Sequence, residues 1–293
     1  MDRLADAVAR DLDAAMVRAA RLGGGDVAEA HRFDLADGRT VFAKTHRNPP
    51  PGFFTTESSG LRWLREPAVV PVPEVLAVSD GDETDGGPPR LVLEWIDEGR
   101  RPSRVGEADF GRALARLHRA GTPSFGRADA RTTGSLALPN DPCDSWVEFY
   151  GERRLRVLQR IAHDRRALPG TTLTKLEWTI ARLAELGGAV EPPARLHGDL
   201  WAGNRLVDRD GRSWLIDPAC HGGHREYDLA MMRLFGGFDR ESFEAYDDEW
   251  PLADGWQARV PLHQLSPLIV HAIKFGGGYA AATERALDAL GRA

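Results

Sequence analysis

The chain has 293 residues, of which 42% are hydrophobic and 28% charged. That is enough apolar material for one large domain or two lobes, too much for a disordered chain and too interrupted for a membrane one. A formal net charge of −6 provides no global positive field for nucleic acid or an anionic membrane, and two cysteines, Cys143 and Cys220, make neither a disulfide framework nor a four-ligand zinc site.

The opening MDRLADAVARDLDAAM repeats apolar residues every fourth position, at Leu4, Val8, Leu12 and Met16, and predicts an amphipathic helix. It lacks the apolar centre of a secretory signal, so a soluble, cytoplasmic protein is expected. Three glycines, Gly23 to Gly25, precede VAEAHRFDLADGRTVFAKT, which reads as the first β-hairpin, turning at Asp37-Gly38. TTESSGLRWLRE predicts a short helix capped by Thr55 or Thr56 and ended by Pro67. PEVLAVSD and RLVLEWID read as paired strands across the polar loop GDETDGGPP. Residues 1–96 therefore form a small antiparallel sheet with one helix after the leading one. From 97 to 293 the pattern turns helical, in ADFGRALARLHRA, SWVEFYGERRLRVLQRIA, TLTKLEWTIARLAEL, EYDLAMMRLFGG, SFEAYDDEW and a tail from Pro261. The segment FGRADARTTGSLALPNDPCD is too polar and too rich in turn formers for a core element. Three short β-type runs, ARLHGD, NRLVDRD and RSWLID, interrupt the helices, the last two turning at Asp210-Gly211. The fold class is α+β and bilobal.

Phosphoryl transfer from ATP requires a lysine on the phosphates, oxygen ligands for Mg2+ and a carboxylate on the attacking hydroxyl. Lys44 closes the second hairpin strand, and Glu57 opens the next helix, where it can hold that lysine extended. Asp199 and Asn204, in HGDLWAGN, keep the five-residue interval of a catalytic aspartate and a metal-binding asparagine. Asp217, ending RSWLID, follows as a second metal ligand. Singly, each has a plainer reading as a solvated charge, a helix cap or an Asp-Pro turn. Their joint order argues for the chemistry. Gly24 and Gly25 could let backbone N–H groups approach phosphate, and the backbone of Glu94, Trp95 and Ile96 would bond an adenine edge as a hinge between lobes; the plainer readings are a turn and a buried strand end.

HGDLWAGN and LIDPACHGGHREYDLAMMRLFGGF resemble the fructosamine kinase, or ketosamine 3-kinase, family. EAHRFDLADGRTVFAKT, FGRALARLHRA and TTGSLALPNDPCDSWVEFY extend the likeness over nearly the whole chain from about residue 20. The resemblance implies a protein-kinase-like fold with ATP and Mg2+ between a nucleotide-binding lobe (1–96) and a helical catalytic and substrate lobe (97–293). It also implies phosphorylation of a ketosamine 3-hydroxyl, giving an unstable product that releases the amine, hence deglycation. By position, Lys44 and Glu57 would be the phosphate pair, Asp199 the base, Asn204 and Asp217 the metal ligands and Trp201 a wall for the ketosamine. Gly198 replaces the arginine through which a phosphorylated activation loop acts in protein kinases, so constitutive activity is expected. Pro218 limits any flip after the metal aspartate. Many members have a cysteine in the glycine-rich turn where this chain has Asp26.

The expected partner is a small-molecule or protein-bound ketosamine, with neither nucleic acid nor membrane involved, and the chain is expected to be a monomer. Two other readings compete: an aminoglycoside or other small-molecule phosphotransferase of the same fold, and a nucleotide-binding pseudokinase, against which the presence of every lysine, base and metal position counts. Trp201 has a plainer fate as a core residue. His221 and His224, with glycines between them and no third ligand expected nearby, read as solvent- or loop-hydrogen-bonding residues rather than a metal pair. Arg225 and Asp228 read as structural, with Asp228 bonding to the catalytic-loop backbone.

Overall fold

A computed structural model describes residues 2–23, 28–81, 86–100, 102–128, 132–133 and 136–291. The chain divides into two compact units, Met1–Arg101 with Leu206–Pro218, and Pro102–Arg205 with Ala219–Ala293.

The first unit runs α1 (Asp2–Asp11), β1 (Met16–Arg21), β2 (Glu29–Leu35), β3 (Thr40–Thr45), α2 (Phe53–Arg65), β4 (Val75–Ser79) and β5 (Arg90–Glu94). Its strands form one antiparallel sheet in the order β1-β2-β3-β5-β4. The expected hairpin is β2 and β3, and Gly38 takes φ +87° in its turn. The four-residue repeat at the start overreaches, because α1 stops at Asp11 and Asp13 adopts φ +48°. Met16 then opens a strand paired with β2, so the glycine turn follows a strand instead of preceding the first one. Gly24, Gly25 and Asp26 lie outside the described residues.

Strand alternation gives the sheet two distinct faces. Phe33, Leu35, Val41, Ala43 and Val92 point to one face and pack on Leu4 and Val8 of α1. Lys44, next after Ala43, points to the other face, where its partner across the ladder is Leu91. On that face lies α2, whose buried residues include Phe54, Leu61 and Leu64. Neither Thr55 nor Thr56 caps α2. Gly52 stands at its N-cap, and the Asp80 carboxylate, from beyond β4, accepts the Phe54 N–H at 2.8 Å and the Thr55 hydroxyl at 2.6 Å. The hairpin of Arg205–Val207 and Ser213–Leu215 clusters with this unit from Leu206 onward. Gly99 N–H reaches Val207 O at 2.8 Å, and Leu215 N–H reaches Pro71 O at 3.0 Å. A boundary drawn along the chain at residue 96 leaves this return out.

The second unit begins with α3 (Arg104–Arg119), capped by the Ser103 side chain. Then come α4 (Trp146–Glu148), a π-helical Phe149–Leu155, α5 (Arg156–Asp164), α6 (Gly170–Ala181) and α7 (Leu183–Leu186). After α8 (Glu226–Phe235) and α9 (Arg240–Glu249), α10 (Trp256–Phe275) starts before Pro261 and carries it inside, and α11 (Gly278–Leu290) ends the unit. Leu155, Leu158, Leu176, Leu196, Leu262, Leu265 and Ile269 are at the centre of its core. The polar segment 125–144 contributes to the interior after all. Phe125, Leu138 and Cys143 are buried, and Asn140 is satisfied there by accepting from Arg154 (2.9 Å) and donating to Cys220 O (3.2 Å). Among the described residues no helix is long and apolar enough to cross a membrane.

Arg90, almost wholly buried, meets Asp11 through two hydrogen bonds of 2.6 and 2.7 Å and ties the end of α1 to β5. Asp11→Ala leaves that guanidinium buried without its carboxylate and should cost about 3–5 kcal/mol, read as a lower urea midpoint.

Candidate active site

In the first unit, Lys44, Glu57 and Asp217 come together. Lys44 Nζ donates to Glu57 Oε1 at 2.8 Å and also pairs with the Asp217 carboxylate. Lys44 and Glu57 are each largely buried, while Asp217 remains open to solvent. The alternation of β3 sends Lys44 toward α2, and α2 presents Glu57 one turn after its start. Asp217 lies two residues beyond Ser213–Leu215 and takes φ +52°, a left-handed backbone that aspartate tolerates better than most residues. At the end of β5, Glu94 closes the ladder: its N–H reaches Glu74 O at 2.9 Å, and its carboxylate accepts the Glu74 N–H at 3.1 Å. Trp95 and Ile96 then leave the strand. Trp95 Nε1 donates to Asp97 at 2.9 Å, and the Arg32 guanidinium stands 4.8 Å over its ring.

In the second unit, Asp199 and Asn204 come together. Ala194–Leu196 pairs with His221–Gly223 and delivers the chain into His197 and Gly198. Gly198 takes φ +81°, and a Cβ there would run into the carbonyl of Ala219. The loop is mounted on Asp228, a fully buried carboxylate in α8 that accepts the N–H groups of His197 (2.7 Å) and Gly198 (2.9 Å) and faces His118 Nε2 at 3.2 Å. Burial works to raise the pKa of Asp228, but the bond to His118 and these contacts hold it below the ordinary carboxylate value.

Asn204 Nδ2 donates to the Asp199 carboxylate at 3.0 Å and to its main-chain carbonyl at 2.8 Å. Burial pushes the Asp199 pKa up to about 6; the Asn204 bond opposes this, the Asp228 charge adds to it and Lys274 counters it. Trp201 is 40% exposed, so it has not become a core residue. Its ring covers Gly203 and meets Phe235 edge-on at 6.2 Å.

Several residues that shape this loop carry no local signal. Arg205, next after Asn204, pairs with Glu107 of α3 at 3.0 and 2.8 Å, and its guanidinium lies 4.4 Å over the Phe238 ring. His118 holds Asp228 on one side and the Tyr246 hydroxyl on the other, at 2.8 Å. These partners stand some hundred residues apart in sequence, and FGRALARLHRA is legible only as a helix and as part of the family likeness. Arg225 is structural as expected, bound to Glu191 and the carbonyls of Trp250 and Pro251. His221 and His224 are both buried, and burial pushes each down to about 3. Contrary to expectation, His224 does have possible co-ligands beside it, Glu226 and His263.

Hard oxygen donors such as the Asp217 carboxylate and the Asn204 side-chain carbonyl suit Mg2+, and a lysine held by two carboxylates suits phosphate. The fold is protein-kinase-like: a crystal structure of an aminoglycoside phosphotransferase matches it with a TM-score of 0.66 at 15% identity, over 98% of each chain, a likeness of fold alone. A Thermobifida fusca crystal structure, provisionally named a fructosamine-3-kinase, matches with a TM-score of 0.91 and 39% identity over 100% of both chains. The chain is also 33% identical to the chloroplastic protein-ribulosamine 3-kinase of Arabidopsis thaliana, over 91% of this chain and 80% of that one. Residues 3–292 match the fructosamine kinase family, and the chain belongs to it. It is a phosphotransferase acting on a hydroxyl group.

An acid whose pKa is raised by the fold contributes its full stability only while protonated, and loses it as pH climbs through the folded value. Asp199→Asn should therefore stabilise the chain by about 1–3 kcal/mol above pH ~6, a rise in Tm that fades below pH ~4.

Proposed function

We propose that the chain transfers the γ-phosphoryl group of ATP to the 3-hydroxyl of a ketosamine, a fructosamine or ribulosamine adduct of an amine, and so serves deglycation. One observation carries the mechanism: a partly buried aspartate held by an asparagine amide at 3.0 Å, in a loop whose His197 and Gly198 N–H groups are mounted on the buried Asp228 carboxylate. Family membership supports the acceptor class.

In this reading Asp199 accepts the proton of the acceptor hydroxyl as that oxygen bonds to the γ phosphorus and the bond to the ADP oxygen breaks. Orientation of the hydroxyl is its larger contribution, because in a loose transition state the proton leaves late. Lys44, steadied by Glu57 and Asp217, meets the nucleotide phosphates. Asn204 and Asp217 would hold Mg2+, which neutralises charge on the phosphate oxygens. Trp201 offers an exposed flat face to the sugar. In the product, enolisation of the C2 ketone toward the amine-bearing C1 lets the C3 phosphate leave by β-elimination, and hydrolysis of the resulting C1 imine by water frees the amine and leaves a 3-deoxy dicarbonyl sugar. The Glu94 to Ile96 backbone would meet the adenine.

The decisive measurement is coupled ATP turnover against fructosamines, ribulosamines and erythrulosamines, free and protein-bound, with aminoglycosides and choline as controls. Turnover confined to ketosamines is expected; none on any of them overturns the proposal. Asp199→Asn should lower kcat by about 10²–10⁴. Since the base must be ionised, kcat/KM should fall as pH drops through about 6, and a profile flat from pH 5 to 8 removes that role. Trp201→Ala should raise KM for the ketosamine several-fold and leave KM for ATP near the wild-type value.

A further inference from the structure

We propose that His224, Glu226 and His263 form a binding site for one divalent transition-metal ion, zinc in preference to magnesium or calcium. A donor atom from each lies within 4.8 Å of the other two, and all three residues are buried. The site lies within the second unit and does not rest on the kinase reading.

His263 carries the argument. It sits in the middle of α10 with no exposed surface, and neither of its ring nitrogens has a hydrogen-bond partner among the described residues. Burying an imidazole with both nitrogens unsatisfied costs of the order of a few kcal/mol. Nε2 stands 3.4 Å from Glu226 Oε2, close but off the line of a hydrogen bond. The His224 ring is 4.9 Å away between centroids, and its Nδ1 accepts the Glu226 N–H at 3.3 Å, a long contact that coordination can replace. An ion among the three donors would give His263 the partner it lacks.

Donor chemistry decides the metal. Two neutral imidazoles and one carboxylate are the set that zinc takes in three-ligand sites with water in the fourth position, whereas magnesium and calcium ask for oxygen throughout. Arg259 engages both oxygens of Glu226, Nη2 donating to Oε1 at 2.5 Å and Nε to Oε2 at 2.9 Å, and a carboxylate, with about four lone-pair sites, can accept a guanidinium and an ion together. That contact fixes the carboxylate in the manner of an outer partner. The Trp146 ring, 5.6 Å from His224 and 5.3 Å from His263, gives the site an apolar wall.

The placement indicates what the ion would do. Glu226 is the first residue of α8 and Asp228 the third, while His263 belongs to α10. An ion would clamp the start of α8 to α10 and stiffen the mount of the Asp199 loop. It would act as a structural ion, stabilising the fold through linkage.

Cobalt(II) is the probe, because a tetrahedral cobalt site absorbs strongly in the visible range. The full chain, stripped with a chelator and dialysed, should take up one Co2+ with that absorption. Zn2+ should displace it, Mg2+ should not, and Zn2+ should raise Tm. His263→Gln should abolish the band and weaken Zn2+ binding by about 100-fold or more. His224→Gln is the second variant, and both are checked for fold by circular dichroism. A wild-type chain that binds neither Co2+ nor Zn2+ stoichiometrically overturns the proposal whatever the variants do. So does a folded variant with undiminished binding.

Discussion

Asp228 is the charge on which the entry to the Asp199 loop is built. It is fully buried, yet its contacts to two backbone N–H groups and to His118 keep it below the ordinary carboxylate pKa. An ionised carboxylate sealed from water is tolerable only when its lone pairs are occupied, and the chain occupies them with the backbone that enters the Asp199 loop. Removing the carboxylate would undo more than one bond. The N–H groups of His197 and Gly198 would both lose their acceptor.

That charge acts a second time, through space. Asp199 is pushed up by burial first, and the Asp228 charge adds to the shift. One buried carboxylate thus positions the loop and raises the basicity of the neighbouring one. Asn204 works in the opposite sense, since its amide hydrogen bond favours the ionised form of Asp199. The resulting value, about 6, leaves the group ionised near neutral pH yet more basic than a surface aspartate. In the first unit, charge is arranged in another way. Lys44 is given a fixed direction by strand alternation and is gripped by two carboxylates from different segments, α2 and the turn after Ser213–Leu215.

Legibility from sequence followed the length scale of each constraint. The β2–β3 hairpin, α2, the β4–β5 pair and α3 are visible because alternation, apolar spacing and turn residues act within a few positions. Lys44, Glu57, Asp199, Asn204 and Asp217 stand out because their residue types in that order match one chemistry. The partners that mount the loop do not: Glu107 for Arg205 and His118 for Asp228 are ordinary helix residues until the fold brings them near. The helix expected to reach Met16 ends early, since a four-residue apolar repeat continues to supply core contacts after Asp13 has turned the backbone. His224 looked solitary because its neighbour His263 lies on α10. The segment 125–144 looked too polar for the interior because Asn140 and Arg154 satisfy one another only once buried.

Backbone strain marks the two turns from which the acidic groups project. Gly198, immediately before Asp199, has φ +81°, and Asp217 itself has φ +52°. Left-handed backbone costs a non-glycine residue of the order of 1 kcal/mol or more. The two positions respond to that cost differently. At 198 the close approach of the Ala219 carbonyl leaves no room for a Cβ, so glycine is the residue that fits. At 217 the carboxylate itself pairs with Lys44, so glycine would relieve the backbone only by discarding the group that makes the ion pair. The surrounding contacts must therefore hold Asp217 in place against its own preference. They include the Ser213–Leu215 strand before it, anchored by the Leu215 N–H to Pro71 O bond, the proline after it, and the lysine beside it.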